Sequence, residues 1–294
     1  MSKTKNILLG ISASLLLWGL IEPYWIDRQE HVVKIPRLPE GWQGQRVALI
    51  ADLQVGMWLG NTRTIRRIVA MLVKERPAAV LIAGDFIYQP KRPALAISGV
   101  VELLRPLPRA GIPTYGVLGN HDYRMPTKED PKDERLAAAL ASALESAGVR
   151  ILNNEAVPLP SPRGGSKASS LFLVGIGAHI PAEDRPDLAF AKVPEGTPRL
   201  VMMHNPNTFE MLPPGAAPFA VAGHTHGGQF RIPLTPQWTW MRYTSADKVH
   251  ADGWTGGHET EGNHLYVNRG IGFSVLPLRL NCPPEVTFFT LMLS

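Results

Sequence analysis

Five polar clusters occur in a fixed order: Asp52-Leu53-Gln54, Gly84-Asp85, Gly119-Asn120-His121-Asp122, His204-Asn205-Pro206 and Gly223-His224-Thr225-His226. Each closes a hydrophobic run that reads as a buried strand. Carboxylate, amide and imidazole groups thereby collect at the ends of successive strands, where open α/β sheets keep their chemistry. Such a set suits two divalent cations that clamp the attacking and leaving oxygens of a phosphoryl group. Mixed oxygen and imidazole donors fit Mn, Fe, Zn, Ni or Co, and an all-oxygen Mg site is less apt. An aspartate at a strand end can bridge two cations, and an imidazole beside them can protonate a leaving oxygen.

Taken singly, most of these residues have an ordinary explanation. An Asp after a strand, such as Asp52, is usually a cap or turn residue, and Asn120-His121-Asp122 alone reads as an Asx-type turn. His204 alone decides nothing. The Gly223-His224-Thr225-His226-Gly227-Gly228 run is harder to dismiss, because adjacent imidazoles hemmed by glycine pack poorly in a core. The ordered set is what points to a site, since independent accidents multiply.

The elements that would position these groups follow from periodicity. Arg46–Ala51 and Ala79–Ala83 are continuous apolar runs, as expected of strands covered on both faces. Between them, Asn61 is placed to cap a helix through Glu75, with Ile65, Ile68, Val69 and Leu72 on one face. That crossover brings Asp52 and Asp85 to one sheet edge. A helix over Leu95–Leu104, a strand over Thr114–Leu118 and a helix over Asp133–Ala147 stopped by Gly148 repeat the pattern. Val149–Leu152 and Ser170–Ile176 read as strands around a turn at 160–169. Further strands are expected at Arg199–Met203, Phe219–Ala222, His264–Asn268 and Val286–Leu293, with a weak edge strand at His31–Ile35. More strands than helices, with the helices early, predicts an α/β fold: a four-layer-type sandwich of two mixed sheets flanked by helices. Residues 231–263 have little periodicity and carry Trp238, Trp240, Trp254, His250 and His258.

With 294 residues, 45% of them hydrophobic, the chain can hold one large domain or at most two ordinary ones. A net charge of +5 favours anionic partners, yet the basic residues are dispersed, and no nucleic acid is expected. The single cysteine, Cys282, excludes an intramolecular disulfide and reads as a buried thiol. Lys3 and Lys5 precede an uncharged apolar stretch, Ile7–Ile21, ended by Glu22 and Pro23. It is short for a straight span, which needs about 20 residues. Tyr24 and Trp25 suit the membrane interface, and no small-x-small cleavage site follows. The division is therefore an anchor or signal-like segment over 1–26, a linker and edge strand over 27–45, and a catalytic domain over 46–294. Positive charge before the apolar stretch predicts an inner-membrane, single-pass anchor with the body on the periplasmic or extracellular side.

The ordered motifs resemble those of the calcineurin-like metallophosphoesterases over about residues 46–294. Gly223–Gln229, Tyr266–Gly272 and Leu276–Glu285 look like the membrane-associated YkuE/YaeI-type phosphodiesterases within that family. The resemblance implies one cation held by Asp52, Gln54, Asp85 and His226, and a second held by Asp85, Asn120, His204 and His224, with Asp85 bridging. It implies that His121 protonates the leaving group, oriented by Asp122, and that a bridging hydroxide attacks phosphorus in line. Manganese is the leading metal. The first motif of such proteins ends in histidine, and here it ends in Gln54. A neutral amide oxygen predicts weaker occupancy of the first site with turnover retained. The expected partner is a phosphoester, lipid-linked in one version; the oligomeric state stays open. Two alternatives stand beside a membrane-anchored phosphodiesterase: a UDP-2,3-diacylglucosamine pyrophosphatase, and a metal-poor binding protein on the same fold.

Overall fold

The computed structural model describes residues 3–57, 60–163, 170–232, 239, 251–255 and 262–294. The elements, in chain order, are α1 (Lys3–Ile21), β1 (Asp27–Ile35), β2 (Arg46–Ile50), α2 (Thr62–Glu75), β3 (Ala79–Ala83), α3 (Pro93–Leu104), α4 (Pro106–Arg109), β4 (Thr114–Val117) and α5 (Glu134–Ser146). Then follow β5 (Val149–Ile151), β6 (Glu155–Pro158), β7 (Phe172–Gly175), α6 (Pro186–Phe190), β8 (Arg199–Met202), β9 (Ala220–Ala222), β10 (Gly253–Trp254), β11 (Leu265–Val267) and β12 (Glu285–Leu293).

Two six-stranded mixed sheets form, in the orders β1-β12-β2-β3-β4-β5 and β10-β11-β9-β8-β7-β6. The alternation of side chains along each strand sorts the core into layers. Val47 and Leu49 of β2 face the second sheet and meet Leu173, Met202, Phe219 and Val221. Ala48 and Ile50 face outward under Ile65, Leu72, Val100 and Leu140 of α2, α3 and α5. The outer face of the second sheet is covered by Ala189, Phe209 and Leu212. The result is the helix–sheet–sheet–helix sandwich expected from the apolar runs.

Local expectations fared unevenly. Asp133 caps α5 by accepting the Leu136 N–H at 3.0 Å. Asn61 does not cap α2; its Nδ2 instead donates to Leu53 O at 2.8 Å. Burial explains the difference, since Asn61 is fully enclosed and the loop carbonyl needs a partner more than a helix start does. β1 is longer than the expected edge strand and pairs in parallel along β12, from Asp27 to Ile35. β6, a short antiparallel edge on β7, had no clear alternation to announce it. Trp238, Trp240, His250, His258 and most of the 160–169 turn lie outside the described residues.

Candidate dinuclear metal centre

The C-terminal ends of β2, β3, β4, β8 and β9 converge where the two sheets meet. Asp52, Gln54, Asp85, His224 and His226 all have left-handed backbone, with φ between 50° and 75°. None is glycine, so each carries strain that the surrounding packing must hold, a pattern concentrated at functional sites. Close approach requires small neighbours. A Cβ on Gly119 would run into Asp85 Oδ1, and one on Gly84 would lie 2.5 Å from His204 Nδ1.

Two ligand-like triads result, and they share one carboxylate. Asp52, Asp85 and His226 bring one donor atom each within 4.8 Å of one another, and so do Asp85, His204 and His224. His204 Nε2 lies 3.4 Å from Asp85 Oδ2, and His226 Nε2 lies 3.8 Å from Asp52 Oδ1. Asn120 donates Nδ2 to Met125 O at 2.6 Å, which turns its Oδ1 inward to 3.1 Å from His204 Nε2. His224 Nδ1 also lies 3.1 Å from His204 Nε2. His204 is aimed by Ala83 O, 2.8 Å from its Nδ1. The two halves of the expected ligand set are thus assembled around Asp85.

Gln54 lies between Asp85 and His226. Its Nε2 donates to Asp85 Oδ2 at 2.9 Å and lies 3.4 Å from His226 Nε2, while the buried Oε1 has no partner. Exchanging amide oxygen and nitrogen by a half-turn would aim the carbonyl between Asp85 and His226. His226 Nδ1 and His121 Nδ1 are likewise buried without partners.

The electrostatics fit cations. Burial pushes the Asp52 carboxyl up to about 7, with the nearby Asp85 charge adding to the effect. Burial also opposes ionisation of Asp85, but His204, His121 and His224 hold its carboxyl well below the usual carboxylate range. Burial pushes His224 down to about 3, and His226 is lowered well below its ordinary value for the same reason. Both are therefore neutral imidazoles, the form that binds metal. Burial disfavours the charged form of His204, but Asp85 outweighs it and raises His204 to about 9, so a cation held here would take the place of that proton. Enclosed carboxylates, imidazoles and an orphaned carbonyl around two foci fit two divalent cations.

Asp122 does something other than the resemblance implied. Its Oδ1 accepts the Ile87 N–H at 3.1 Å and its Oδ2 accepts the Gly119 N–H at 2.8 Å, so neither oxygen is spent on the His121 ring. Asp122 ties the loop after β3 to the loop after β4, and any influence on His121 passes through backbone. His121 is held instead by its own N–H, which donates to Asp85 Oδ1 at 2.9 Å, and by the Tyr88 ring, 4.8 Å away.

A cavity of about 400 Å³ opens over Asp85, Asn120, His121, His224 and His226, with Val275 and Leu276 on its lip. Gln229 fixes that lip by accepting the Ser274 N–H and donating to Leu276 O, both at 2.7 Å. Behind it, the fully buried Arg279 donates to the carbonyls of Arg269, Gly270, Gly272 and Cys282. Sequence reasoning missed Tyr88, Gln229 and Arg279 as contributors. Gln229 and Arg279 did lie in the Gly223–Gln229 and Leu276–Glu285 runs that carry the resemblance, while Tyr88 had no local signal.

Residues 45–228 match the family described as Calcineurin-like phosphoesterase. The chain is 28% identical to Phosphodiesterase YaeI of Escherichia coli over 92% of this chain and 90% of that one. It is 25% identical to the uncharacterized metallophosphoesterase YkuE of Bacillus subtilis, over 92% and 87% of the two chains. It is 22% identical to the UDP-2,3-diacylglucosamine pyrophosphatase LpxG of Chlamydia muridarum, over 94% and 93%. The paired clusters on a shared aspartate and the match across most of the sandwich agree: the chain belongs to the calcineurin-like phosphoesterase family and is a metal-dependent phosphoester hydrolase.

Proposed function

We propose that the protein is a membrane-anchored phosphodiesterase whose two cations are held by Asp52, Gln54, Asp85 and His226 and by Asp85, Asn120, His204 and His224. The observation that carries this reading is the pair of triads meeting at Asp85 beneath an open cavity. When bound, two divalent cations, with manganese the first choice, neutralise phosphoryl oxygens and make a water acidic enough to attack near pH 7. The protein's own groups orient and protonate. Asp85 sits between the foci, and Asn120 and His204 fix each other's donor atoms. His121 lies in the cavity wall with Nδ1 free of any protein partner, available to carry the proton that the departing alkoxide needs.

The anchor reading rests on α1. The segment Lys3–Tyr24 is long and apolar enough to cross a membrane, and Ile7, Leu8, Ile11, Leu16 and Leu17 are more than half exposed. Lys3 and Lys5 favour a cytoplasmic N-terminus and a domain outside the inner membrane. The similarity to LpxG supports a second reading, cleavage of an acylated UDP-sugar pyrophosphate.

The test is hydrolysis of bis(p-nitrophenyl) phosphate by full-length protein loaded with Mn²⁺, beside Asp85→Asn. Turnover that survives intact in the variant overturns the site, and no turnover with any divalent metal overturns the activity. A carboxy-terminal reporter active only in the cytoplasm would reject the external orientation and favour the UDP-sugar reading.

A further inference from the structure

A second cavity, of about 840 Å³, is lined in part by Tyr88, whose ring packs on His121 of the metal cavity. Its apolar walls are Val55, Met57, Tyr88, Pro90, Leu95 and Ala96. Tyr88 lies 4.8 Å from the His121 ring, and its hydroxyl accepts the Val275 N–H at 3.3 Å. His121 and Val275 both line the metal cavity. One side chain therefore touches residues of the catalytic cavity and lines an apolar trough larger than that cavity itself.

The surface along this path is apolar as well. Leu276 and Val275 on the lip are 47% and 70% exposed, and Leu95 at the second cavity is 61% exposed. A row of uncovered large apolar side chains beside a polar centre is a binding feature rather than ordinary surface. Lys91 and Arg92 also line the second cavity and are exposed, so it combines an apolar floor with positive charge. A site of this volume and lining suits an extended hydrocarbon carrying an anionic group.

We propose that this cavity is a tail subsite: the substrate is an amphiphilic phosphoester whose acyl or alkyl chain leaves the phosphoryl group, passes Tyr88 and lies along Leu95 and Ala96. The assignment rests on the phosphoesterase reading and specifies its substrate class. The committed occupant is the substrate's own tail, because Tyr88, a wall of the trough, touches His121 and Val275, which line the catalytic cavity. Methylenes that pass the Tyr88 ring and lie in the trough are removed from water.

The experiment uses the Mn²⁺-loaded full-length protein in nanodiscs and a series of alkyl p-nitrophenyl phosphate diesters, methyl to octyl, below their aggregation limits. The expected result is a kcat/KM that rises once the chain passes Tyr88, by up to about fourfold per methylene buried. Leu95→Glu, at an exposed position that folding tolerates, is expected to flatten that rise and leave methyl-ester turnover unchanged. Leu95→Trp, which fills the trough from the same exposed position, should do the same. A flat chain-length profile in an enzyme that cleaves the methyl ester overturns the tail subsite alone, as does a slope that survives both variants. Failure to cleave any ester removes the phosphoesterase reading and the subsite with it.

Discussion

The Glu22 carboxylate, at the foot of α1, accepts the backbone N–H of Asn281 at 2.7 Å, and its other oxygen accepts the N–H of Cys282. Glu22 is only 2% exposed, and the Arg279 N–H donates to Gly19 O nearby at 3.1 Å. α1 is therefore fastened to the loop that carries Arg279. The Arg279 side chain holds the Gly270 and Gly272 carbonyls, and the Ile271 and Gly272 N–H groups close onto Ala51 O and Asp52 O. A short chain of hydrogen bonds runs from α1 to Asp52.

Replacing Glu22 tests whether that chain matters. Glu22→Gln keeps the shape but turns an amide NH₂ toward a backbone N–H, leaving a buried donor unsatisfied at a cost of about 1–3 kcal/mol. The expected outcome is a melting temperature several degrees lower and weaker Mn²⁺ binding at the first site, read by calorimetric titration. Lower stability with unchanged metal affinity would make the contact purely structural.

Gln54 predicts a tunable first site. Its amide lies among Asp85 and His226 with Oε1 unpartnered, and a neutral oxygen is a poorer donor than imidazole for Mn, Fe or Zn. Gln54→His should raise affinity at that site by at least the ~10–100-fold that changes outside the ligand shell produce. Gln54→Ala should lower metal content below two ions per chain by elemental analysis. Equal metal content in all three proteins would show that Gln54 is no ligand.

These tests also mark what could be read from sequence. Asp52, Asp85 and the paired histidines were legible because each ends a continuous apolar run, and parallel strands deliver their ends to one edge. The layer order was legible for the same reason: β2 after Arg46 and all of β3 are apolar, so both faces must be covered. Glu22 and Arg279 were not, because their partners lie far along the chain or on bare backbone that no periodicity marks. Asp122 misled through adjacency. Its neighbour in sequence is His121, but its carboxylate serves the Ile87 and Gly119 N–H groups, which burial leaves without water. Asn61 misled through propensity, which the buried Leu53 carbonyl overrode.

His121 predicts a dependence on leaving group. A proton donor matters most when the departing alkoxide is a strong base, and little when it is p-nitrophenolate. His121→Asn should cut kcat by about 10²–10⁴-fold on an alkyl-leaving diester. On bis(p-nitrophenyl) phosphate the loss should be much smaller. An equal loss on both substrates would assign His121 to substrate or metal binding. Its lowered pKa, caused mainly by burial and opposed by Asp85, predicts that the alkyl reaction loses rate as pH rises through a value below 6.5. A pH–rate profile on the two substrates reads this directly.

His31, remote from the metal centre, predicts a pH effect on stability alone. It stands in an aromatic cluster, 4.9 Å from the Tyr266 ring and 5.8 Å from that of Trp254. Trp254 Nε1 donates to its Nδ1 at 3.5 Å, and its Nε2 lies 3.3 Å from the Tyr266 hydroxyl, which donates to Glu285 at 2.9 Å. One neutral tautomer satisfies this series: Nε2–H facing the Tyr266 oxygen, with Nδ1 accepting. A second ring proton would point at the indole N–H. Burial accordingly lowers the His31 pKa below 6.5, with Glu285 partly opposing it. Between the folded value and 6.5 the unfolded chain binds more protons, so stability rises with pH in that window. The contribution is complete above about 6.5 and is lost as pH falls through the folded value. His31→Gln keeps one donor and one acceptor without titrating. The melting-temperature advantage of wild type over this variant should shrink steadily from pH 7 to pH 5. The metal ligands titrate alike in both proteins, so the difference isolates His31. A constant difference across that range would mean the imidazole is charged in the fold as readily as in the unfolded chain.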